Sequence, residues 1–169
     1  EYNRAYQSTM PVGSSIKPIT VYGPALDLGK SAGTIYYDTR APIENWGTEK
    51  GYPSNNGETG YTGSVTMRYA VHRSLNTVAA QALMYDVGID TAVSYLEAMN
   101  VDPDHINADG PGLALGTSGL TPLEMAACFA TIANMGTYLQ PISFTKITDS
   151  QGNVILDMVA EQETKQIYK

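Results

Sequence analysis

Helical spacing of apolar residues is the main pattern along the chain. It is found in residues 14–22, 66–85 and 90–99, where apolar side chains return every three or four positions. A fourth helix begins at residues 121–124, which read Thr-Pro-Leu-Glu. Threonine is a good N-cap, proline suits the first helical position, and glutamate can complete a capping box. We expect this helix to run to residue 135 and to stop at Gly136.

Breaks in this spacing divide the helices. Proline is tolerated only in the first turn of a helix, so Pro18 means that the first helix cannot begin much before Ser14. Gly23 and Pro24 are expected to kink or end that helix. The second helix loses its apolar spacing at residues 73–76, so we expect an interruption there.

The remaining segments are less regular. Residues 30–63 carry Gly, Pro, Asn, Thr and Tyr with little periodicity, which predicts a long irregular connection lying over a groove. Residues 142–148 and 153–158 flank a turn at 149–152 and predict a β-hairpin. The pattern therefore predicts a mostly helical chain with one late β-hairpin.

Composition narrows the class of protein. The chain has 169 residues, of which 43% are apolar and 16% charged, enough for one globular domain with a core. Its net charge of -7, without clustered Lys and Arg, argues against a nucleic-acid partner. Cys128 is the only cysteine, so an intrachain disulfide and a thiolate metal site are excluded, and we expect it to pack in the core. No apolar run approaches the length of a membrane span, so any anchor is expected outside these residues.

Residues 14–17, Ser-Ser-Ile-Lys, carry candidate nucleophilic chemistry. A serine hydroxyl is a poor nucleophile near neutral pH and needs an adjacent base. Because residues three apart share a helix face, the Lys17 amine can reach the Ser14 hydroxyl. Burial near the positive end of a helix favours the neutral form of lysine. The spacing alone is weak evidence, since Ser143 and Lys146 repeat it within the predicted hairpin, where residues three apart face opposite sides.

A second candidate element is Ser74-Leu75-Asn76, between two helical stretches. Its serine can relay a proton, and its asparagine amide can both donate to and accept from a substrate backbone. The same pattern occurs at residues 54–56, which follow Pro53 and are interpreted as an ordinary turn. Taken alone, residues 74–76 are also typical of a helix cap.

Two further patterns are set aside. Gly23 followed by residues 29–31, Gly-Lys-Ser, resembles a phosphate-binding loop, but its glycines are spaced too widely and it follows a helix. His72 and His105 are isolated from each other and from Cys128, so we assign them surface or packing roles and predict no metal site.

The order of the motifs and their surroundings resemble a known family. The S-x-x-K element followed by an S-x-N element is the order found in β-lactamases and penicillin-binding proteins. The flanking residues resemble the transpeptidase domain of class A (bifunctional) penicillin-binding proteins. They are residues 2–5 and 11–18, residues 61–68 and 73–77, and residues 113–126 and 133–136.

The resemblance implies a mechanism and a location. Ser14 would attack a D-Ala-D-Ala stem peptide of peptidoglycan and form an acyl-enzyme that passes to an amine on a neighbouring stem. Lys17 would be the base, Ser74 a proton relay, and Asn76 a holder of the substrate amide. β-Lactam antibiotics would acylate the same serine, and no cofactor is implied. The protein would act at the extracytoplasmic face of the bacterial cell membrane.

One family motif is missing from the sequence. No Lys-Thr-Gly or Lys-Ser-Gly occurs, although the family carries such a motif on a later strand. We therefore expect residues 1–169 to be a partial domain of the α/β transpeptidase fold, without much of its central sheet. Remaining segments of the same domain are expected as partners, and this fragment alone is expected to be inactive.

Two other readings stay open at this point. One is a penicillin-binding receptor or inactive homologue that binds without turnover. The other is a helical interaction domain in which the motifs occur by chance. Labelling by a fluorescent penicillin, followed by measurement of its release, separates the three.

Overall fold

Helices form the framework of the computed structural model, which describes residues 1–40, 43, 46, 53–57 and 60–169. The α-helices are α1 Arg4–Gln7, α2 Gly23–Asp27, α3 Met67–Arg73, α4 Asn76–Gln81, α5 Ile89–Ala98, α6 Gly110–Ala114, α7 Pro122–Ala133 and α8 Met158–Glu161. Tighter 3-10 turns occupy Gly13–Ile16 and Pro103–His105, and wider π-helical turns occupy Pro18–Tyr22 and Ala82–Val87.

The first helical segment continues through Gly23 and Pro24, so it does not end there, while the predicted kink at these residues stays a prediction. The chain passes from the 3-10 turn through the π turn directly into α2. The Gly23 N–H donates to the Pro18 carbonyl, one residue further back than in an α-helix. Pro24 has no N–H to donate, and the Ile19 carbonyl, five residues before it, accepts from the Tyr168 hydroxyl at 3.0 Å instead.

The predicted interruption at residues 73–76 is confirmed. Thr66 caps α3 by accepting a hydrogen bond from the Tyr69 N–H, and α3 ends at Arg73. Ser74 adopts the left-handed conformation, with φ of 53°, and α4 begins at Asn76. The chain therefore turns sharply where the apolar spacing is lost.

The other predicted helices are confirmed to within two residues. Helix α5 covers Ile89–Ala98, where residues 90–99 were expected. Helix α7 covers Pro122–Ala133 and ends two residues before its predicted last residue, 135. Its capping box is present, since the Thr121 hydroxyl accepts from the Glu124 N–H and the Glu124 carboxylate accepts from the Thr121 N–H.

Paired strands are more numerous than the sequence predicted. The late hairpin is confirmed as β6 Lys146–Thr148 paired with β7 Val154–Asp157. Three further antiparallel pairs join strands that are distant along the chain: β1 Met10–Pro11 with β4 Gly119–Leu120, β2 Ile35–Asp38 with β3 Gly63–Thr66, and β5 Thr137–Leu139 with β8 Thr164–Gln166. Strand β2 contradicts the prediction that residues 30–63 are irregular. Residues 41, 42, 44, 45, 47–52, 58 and 59 of that connection lie outside the described residues.

The core surrounds the first helical segment. The π turn Pro18–Tyr22 packs against α5, α6 and the Ala82–Val87 turn. Side chains with no exposed surface in this region include Ile19, Val21, Ala25, Leu83, Leu96 and Leu113. Burying this segment on several sides fixes the turn that precedes it, which carries Ser14. Among the described helices, none is both long and apolar enough to cross a lipid bilayer.

Candidate active site

Ser14 lies in the first helical turn, as the sequence predicted, and its side chain is exposed. Gly13 precedes it with a φ of 58°, a conformation that favours glycine. The Gly13 N–H donates to the Gly116 carbonyl at 2.9 Å. A Cβ added to Gly116 would lie 2.0 Å from the Gly13 carbonyl oxygen. The close approach of these two glycines therefore fixes the backbone that presents Ser14.

Lys17 is buried, with only 2% of its surface exposed. Its Nζ atom donates to the Ser74 carbonyl at 2.8 Å, to the Ser74 Oγ atom at 3.1 Å and to the Asn76 Oδ1 atom at 2.6 Å. None of the hydrogen bonds found among the described residues joins Lys17 to Ser14, so their proximity stays a prediction. The three acceptors match the three donors of an ammonium group.

Burial lowers the pKa of the Lys17 amine to about 8, from an ordinary value of 10.5. An amine with this pKa is neutral in an appreciable fraction of molecules near neutral pH. Deprotonation leaves two donors and one lone pair, so one of the three contacts must then reverse or be released. The Ser74 hydroxyl is suited to this exchange, because it can donate as well as accept.

Ser74 and Asn76 reach Lys17 because of the turn between α3 and α4. The left-handed conformation of Ser74 directs both its carbonyl and its hydroxyl oxygen to the Lys17 amine. Such a conformation costs a residue other than glycine about 1 kcal/mol or more, and strain of this kind is concentrated at functional sites. Asn76 is the first residue of α4, and its Nδ2 atom donates to the Ser54 carbonyl at 2.9 Å.

One cavity of about 310 Å³ brings these residues together. It is lined by Ser14, Asn55, Asn56, Arg73, Ser74, Leu75 and Asn76. The two S-x-N elements, at residues 54–56 and 74–76, therefore both contribute to the cavity that Ser14 lines. A turn is present at residues 56 and 57, but Asn55 before it is buried and bonded to the start of α4, so these residues are more than an ordinary turn.

Sequence reasoning missed a buried network behind Asn76. Asp38, Asn55 and Thr77 are joined by hydrogen bonds, and all three are buried. Asn55 belongs to the second S-x-N match, and that match was the available signal. Thr77 directly follows Asn76 in the sequence, but no pattern marks Asp38, whose partners are far along the chain.

The patterns that were set aside have other partners in the fold. Lys146 pairs with Asp157 at 3.0 Å, and Lys30 pairs with Asp86 at 2.7 Å. His105 contacts the Glu124 carboxylate at 2.9 Å. Cys128 has no exposed surface, and burial raises the pKa of its thiol to about 12, so it packs in the core as predicted. Within the described part of the chain, no three His, Cys, Asp or Glu side chains are grouped to hold a metal ion.

The exposed Ser14 hydroxyl, the buried Lys17 amine and the Ser74 hydroxyl form an arrangement that suits acyl transfer through a serine nucleophile. The family model described as the penicillin-binding protein transpeptidase domain matches residues 1–169. The chain therefore belongs to the family of penicillin-binding protein transpeptidase domains. This result confirms the resemblance carried by the sequence motifs.

Individual relatives agree with this family. The chain is 38% identical over 166 residues to penicillin-binding protein 1A of Clostridium botulinum, covering 92% of this chain and 20% of that protein. It is 35% identical over 170 residues to penicillin-binding protein 1F of Bacillus subtilis, covering 99% of this chain and 22% of that protein. The chain thus spans about a fifth of the length of the curated relatives it matches.

Solved structures show the same fold. Penicillin-binding protein 1A from Haemophilus influenzae aligns with a TM-score of 0.79 at 33% identity, covering 92% of this chain and 23% of that one. Penicillin-binding protein A from Mycobacterium tuberculosis, solved as an imipenem acyl-enzyme complex, aligns with a TM-score of 0.76 at 26% identity, covering 98% of this chain and 41% of that one. The described helices and strands form part of the α/β fold of these transpeptidase domains.

Proposed function

We propose that this chain supplies the nucleophile and its base to a serine D,D-transpeptidase that cross-links peptidoglycan stem peptides. The observation that carries the proposal is the contact of the buried Lys17 amine with Ser74 and Asn76 at the cavity that Ser14 lines. Membership of the transpeptidase family supports it. The protein would act at the extracytoplasmic face of the bacterial cell membrane, where peptidoglycan is assembled.

The first step is acylation of Ser14. The neutral Lys17 amine takes the proton of the Ser14 hydroxyl, and the Oγ atom attacks the carbonyl carbon of the penultimate D-Ala. A carbon–oxygen bond forms and negative charge develops on the carbonyl oxygen. Backbone N–H groups at the start of the helical turn can help to stabilise that charge.

The second step expels the terminal D-Ala. Ser74 passes a proton to the nitrogen of the breaking amide bond and is reprotonated by Lys17, which carries the proton that it took from Ser14. The carbon–nitrogen bond breaks, D-Ala leaves as an amine, and the rest of the stem stays on Ser14 as an ester. An amine of a neighbouring stem then attacks this ester. A new amide forms, and Ser14 regains its proton.

Asn76 has a double role in this proposal. Its Oδ1 atom accepts from Lys17, and one Nδ2 hydrogen is donated to the Ser54 carbonyl. An amide nitrogen has two hydrogens, and the second is available for the carbonyl of a substrate amide. Asn76 therefore orients the base as well as holding the substrate.

β-Lactam antibiotics are the expected inhibitors. The solved acyl-enzyme of the Mycobacterium tuberculosis relative holds imipenem. We propose that the corresponding reaction in this protein opens the lactam ring and leaves the acyl group on Ser14. Slow hydrolysis of that ester would keep the site blocked.

The test uses the full-length protein that contains this chain and a stem peptide ending in D-Ala-D-Ala. Release of D-Ala is measured together with transfer of the acyl group to an added amine. We expect Ser14→Ala to abolish both signals and Ser143→Ala, a change at an exposed serine with the same lysine spacing, to leave both intact. Equal D-Ala release by the parent protein and Ser14→Ala would refute the proposal. Acylation by penicillin without any release of D-Ala would identify a receptor instead.

A further inference from the structure

A buried carboxylate stands behind the start of α4. Asp38 has no exposed surface. Its Oδ1 atom accepts from Thr77 Oγ1 at 2.6 Å and from Asn55 Nδ2 at 2.7 Å, and its Oδ2 atom accepts from the Thr62 N–H at 2.8 Å. Burial raises the pKa of Asp38, but these hydrogen bonds lower it by more, so the pKa lies below its ordinary value of 3.8. The carboxylate is therefore ionised at neutral pH.

The charge of Asp38 fixes the orientation of the Asn55 amide. A carboxylate only accepts hydrogen bonds, so the Nδ2 atom of Asn55 must face it and the Oδ1 atom must face away. That Oδ1 atom accepts from the backbone N–H of Asn76 at 2.9 Å and lies 3.4 Å from the N–H of Thr77. These N–H groups begin α4 and have no acceptor within the helix. Asn55 thus connects Asp38 to the first residue of α4.

The same loop also holds the side chain of Asn76. The Ser54 carbonyl accepts from Asn76 Nδ2 at 2.9 Å, one residue before the Asn55 contact with the Asn76 backbone. With the nitrogen end held by Ser54, the Oδ1 end faces Lys17 at 2.6 Å. Both the position and the direction of the Asn76 amide therefore depend on residues 54 and 55.

We propose that Asp38 and Asn55 are positioning residues that set the acylation rate of Ser14 by orienting Asn76 and, through it, the Lys17 amine. This inference rests on the proposed function, because it assigns a role in the same reaction. Neither residue touches the reacting atoms. Small displacements of a base from its working position lower rates strongly.

Three variants of the full-length protein test the network through the rate of acylation by a fluorescent penicillin. Asn55→Ala removes both the group that donates to Asp38 and the oxygen that accepts from the Asn76 N–H. Asn55→Asp places a second carboxylate against Asp38. The hydrogen bond between residues 55 and 38 is lost when both carboxylates are ionised, and it is restored when the pair holds one proton. The combined Asp38→Asn and Asn55→Asp exchange keeps one charge and reverses the donor and the acceptor.

The control variant is Asn153→Asp in the exposed turn of the late hairpin. Asn153 Nδ2 donates to Asp149 Oδ2 at 2.9 Å. This change therefore places a carboxylate at residue 153 beside Asp149 on the surface, as Asn55→Asp places one beside Asp38 in the interior. We expect it to acylate at the parent rate. All rates are compared at a temperature at which melting curves show every variant to be folded.

We expect Asn55→Ala and Asn55→Asp to acylate about tenfold to a hundredfold more slowly than the parent protein at pH 8. The loss in Asn55→Asp should shrink as the pH is lowered, relative to the parent at each pH, and the loss in Asn55→Ala should not. The double exchange should recover most of the rate. Parent-like rates in folded Asn55→Ala, or a double exchange as slow as the single changes, would overturn the proposal.

Failure of the proposed function gives a different result. In that case the parent protein itself is not labelled by penicillin at Ser14. The network is then judged by the crystal structure of Asn55→Ala in the full-length protein. Movement of the Asn76 amide away from Lys17 supports the positioning role, and an unchanged contact between them overturns it.

Discussion

The Nζ atom of Lys17 lies 2.6 Å from the Oδ1 atom of Asn76, a residue 59 positions further along the chain. This contact joins the helical turn that carries Ser14 to the first residue of α4. Because Lys17 is buried and its amine has three protein acceptors, its protonation state depends on the residues around it more than on solvent. The chemistry of the site therefore depends on how these two helices are held together.

The first prediction concerns pH. Burial lowers the pKa of Lys17 to about 8, and only the neutral amine can take a proton from Ser14. The fraction of neutral amine increases as the pH rises through 8, so the acylation rate should rise over the same interval and then level off. Stopped-flow measurement with a chromogenic β-lactam, in the full-length protein, gives this profile.

A charge-preserving variant is the control for the pH profile. Lys17→Arg keeps the positive charge, but a guanidinium group stays protonated throughout the accessible range. We expect it to acylate far more slowly than the parent protein at every pH, without a rise near pH 8. A parent profile that is flat or falls through pH 8 would contradict the role of Lys17 as base.

The second prediction separates backbone strain from hydroxyl chemistry at Ser74. Both Ser74→Gly and Ser74→Ala remove the hydroxyl, but only glycine adopts the φ of 53° without strain. Ser74→Gly should therefore be more stable than Ser74→Ala by about 1 kcal/mol in urea unfolding. Both variants should lose most of the acylation rate. If the glycine variant acylates at the parent rate, the serine contributes only its backbone conformation.

The third prediction concerns the close approach of Gly116 to Gly13. A methyl group at position 116 would overlap the Gly13 carbonyl oxygen, so Gly116→Ala must displace the turn that carries Ser14. We expect lower stability and a strong loss of penicillin labelling. Gly152→Ala is the matched control, because Gly152 also has a positive φ of 87° but has no atom within 4 Å of the added Cβ. Equal labelling of the two variants would show that the glycine contact is dispensable.

The fourth prediction tests the capping box of α7. Thr121→Ala removes the hydroxyl that accepts from the Glu124 N–H and should lower the free energy of unfolding by about 1 kcal/mol. Burial raises the pKa of Glu124, but hydrogen bonds from Asp102 and Thr121 outweigh this effect and lower it below 4.5. The contribution of Glu124 to the free energy of unfolding is therefore present above pH 4.5 and is lost as the pH falls through the lowered pKa. Thr145→Ala, at an exposed threonine, should change stability by less than about 0.5 kcal/mol.

Local signals in the sequence predicted the helices and the turn that carries Ser14. Pro18 and the apolar spacing placed Ser14 at the start of a helix, and Thr121-Pro122-Leu123-Glu124 placed the start of α7. These features depend on neighbours a few positions away, so the sequence displays them directly. The helix was expected to end or kink at Gly23 and Pro24, but a π-helical turn joins it directly to α2, and local propensity does not reveal such a turn.

The rest of the site depends on contacts between distant positions. Strands β1 and β4 pair across more than a hundred residues, and Asp38 meets Thr77 across 39 positions. The sequence around β1 and around Asp38 has no pattern that specifies these partners. The sequence marks Asn55 only as part of a turn, because its hydrogen bonds with Asp38 and Asn76 exist only in the folded chain. Motif spacing likewise does not predict that the Lys17 amine donates to three acceptors on Ser74 and Asn76.

The most direct test of the account is to locate the acyl group after reaction of the full-length protein with penicillin. Intact mass spectrometry followed by peptide mapping identifies the modified side chain. We expect one penicilloyl group on Ser14 and none on Ser15, Ser74 or Ser143. An adduct on one of those other serines, or undiminished labelling of Ser14→Ala, would contradict the assignment of Ser14 as the nucleophile.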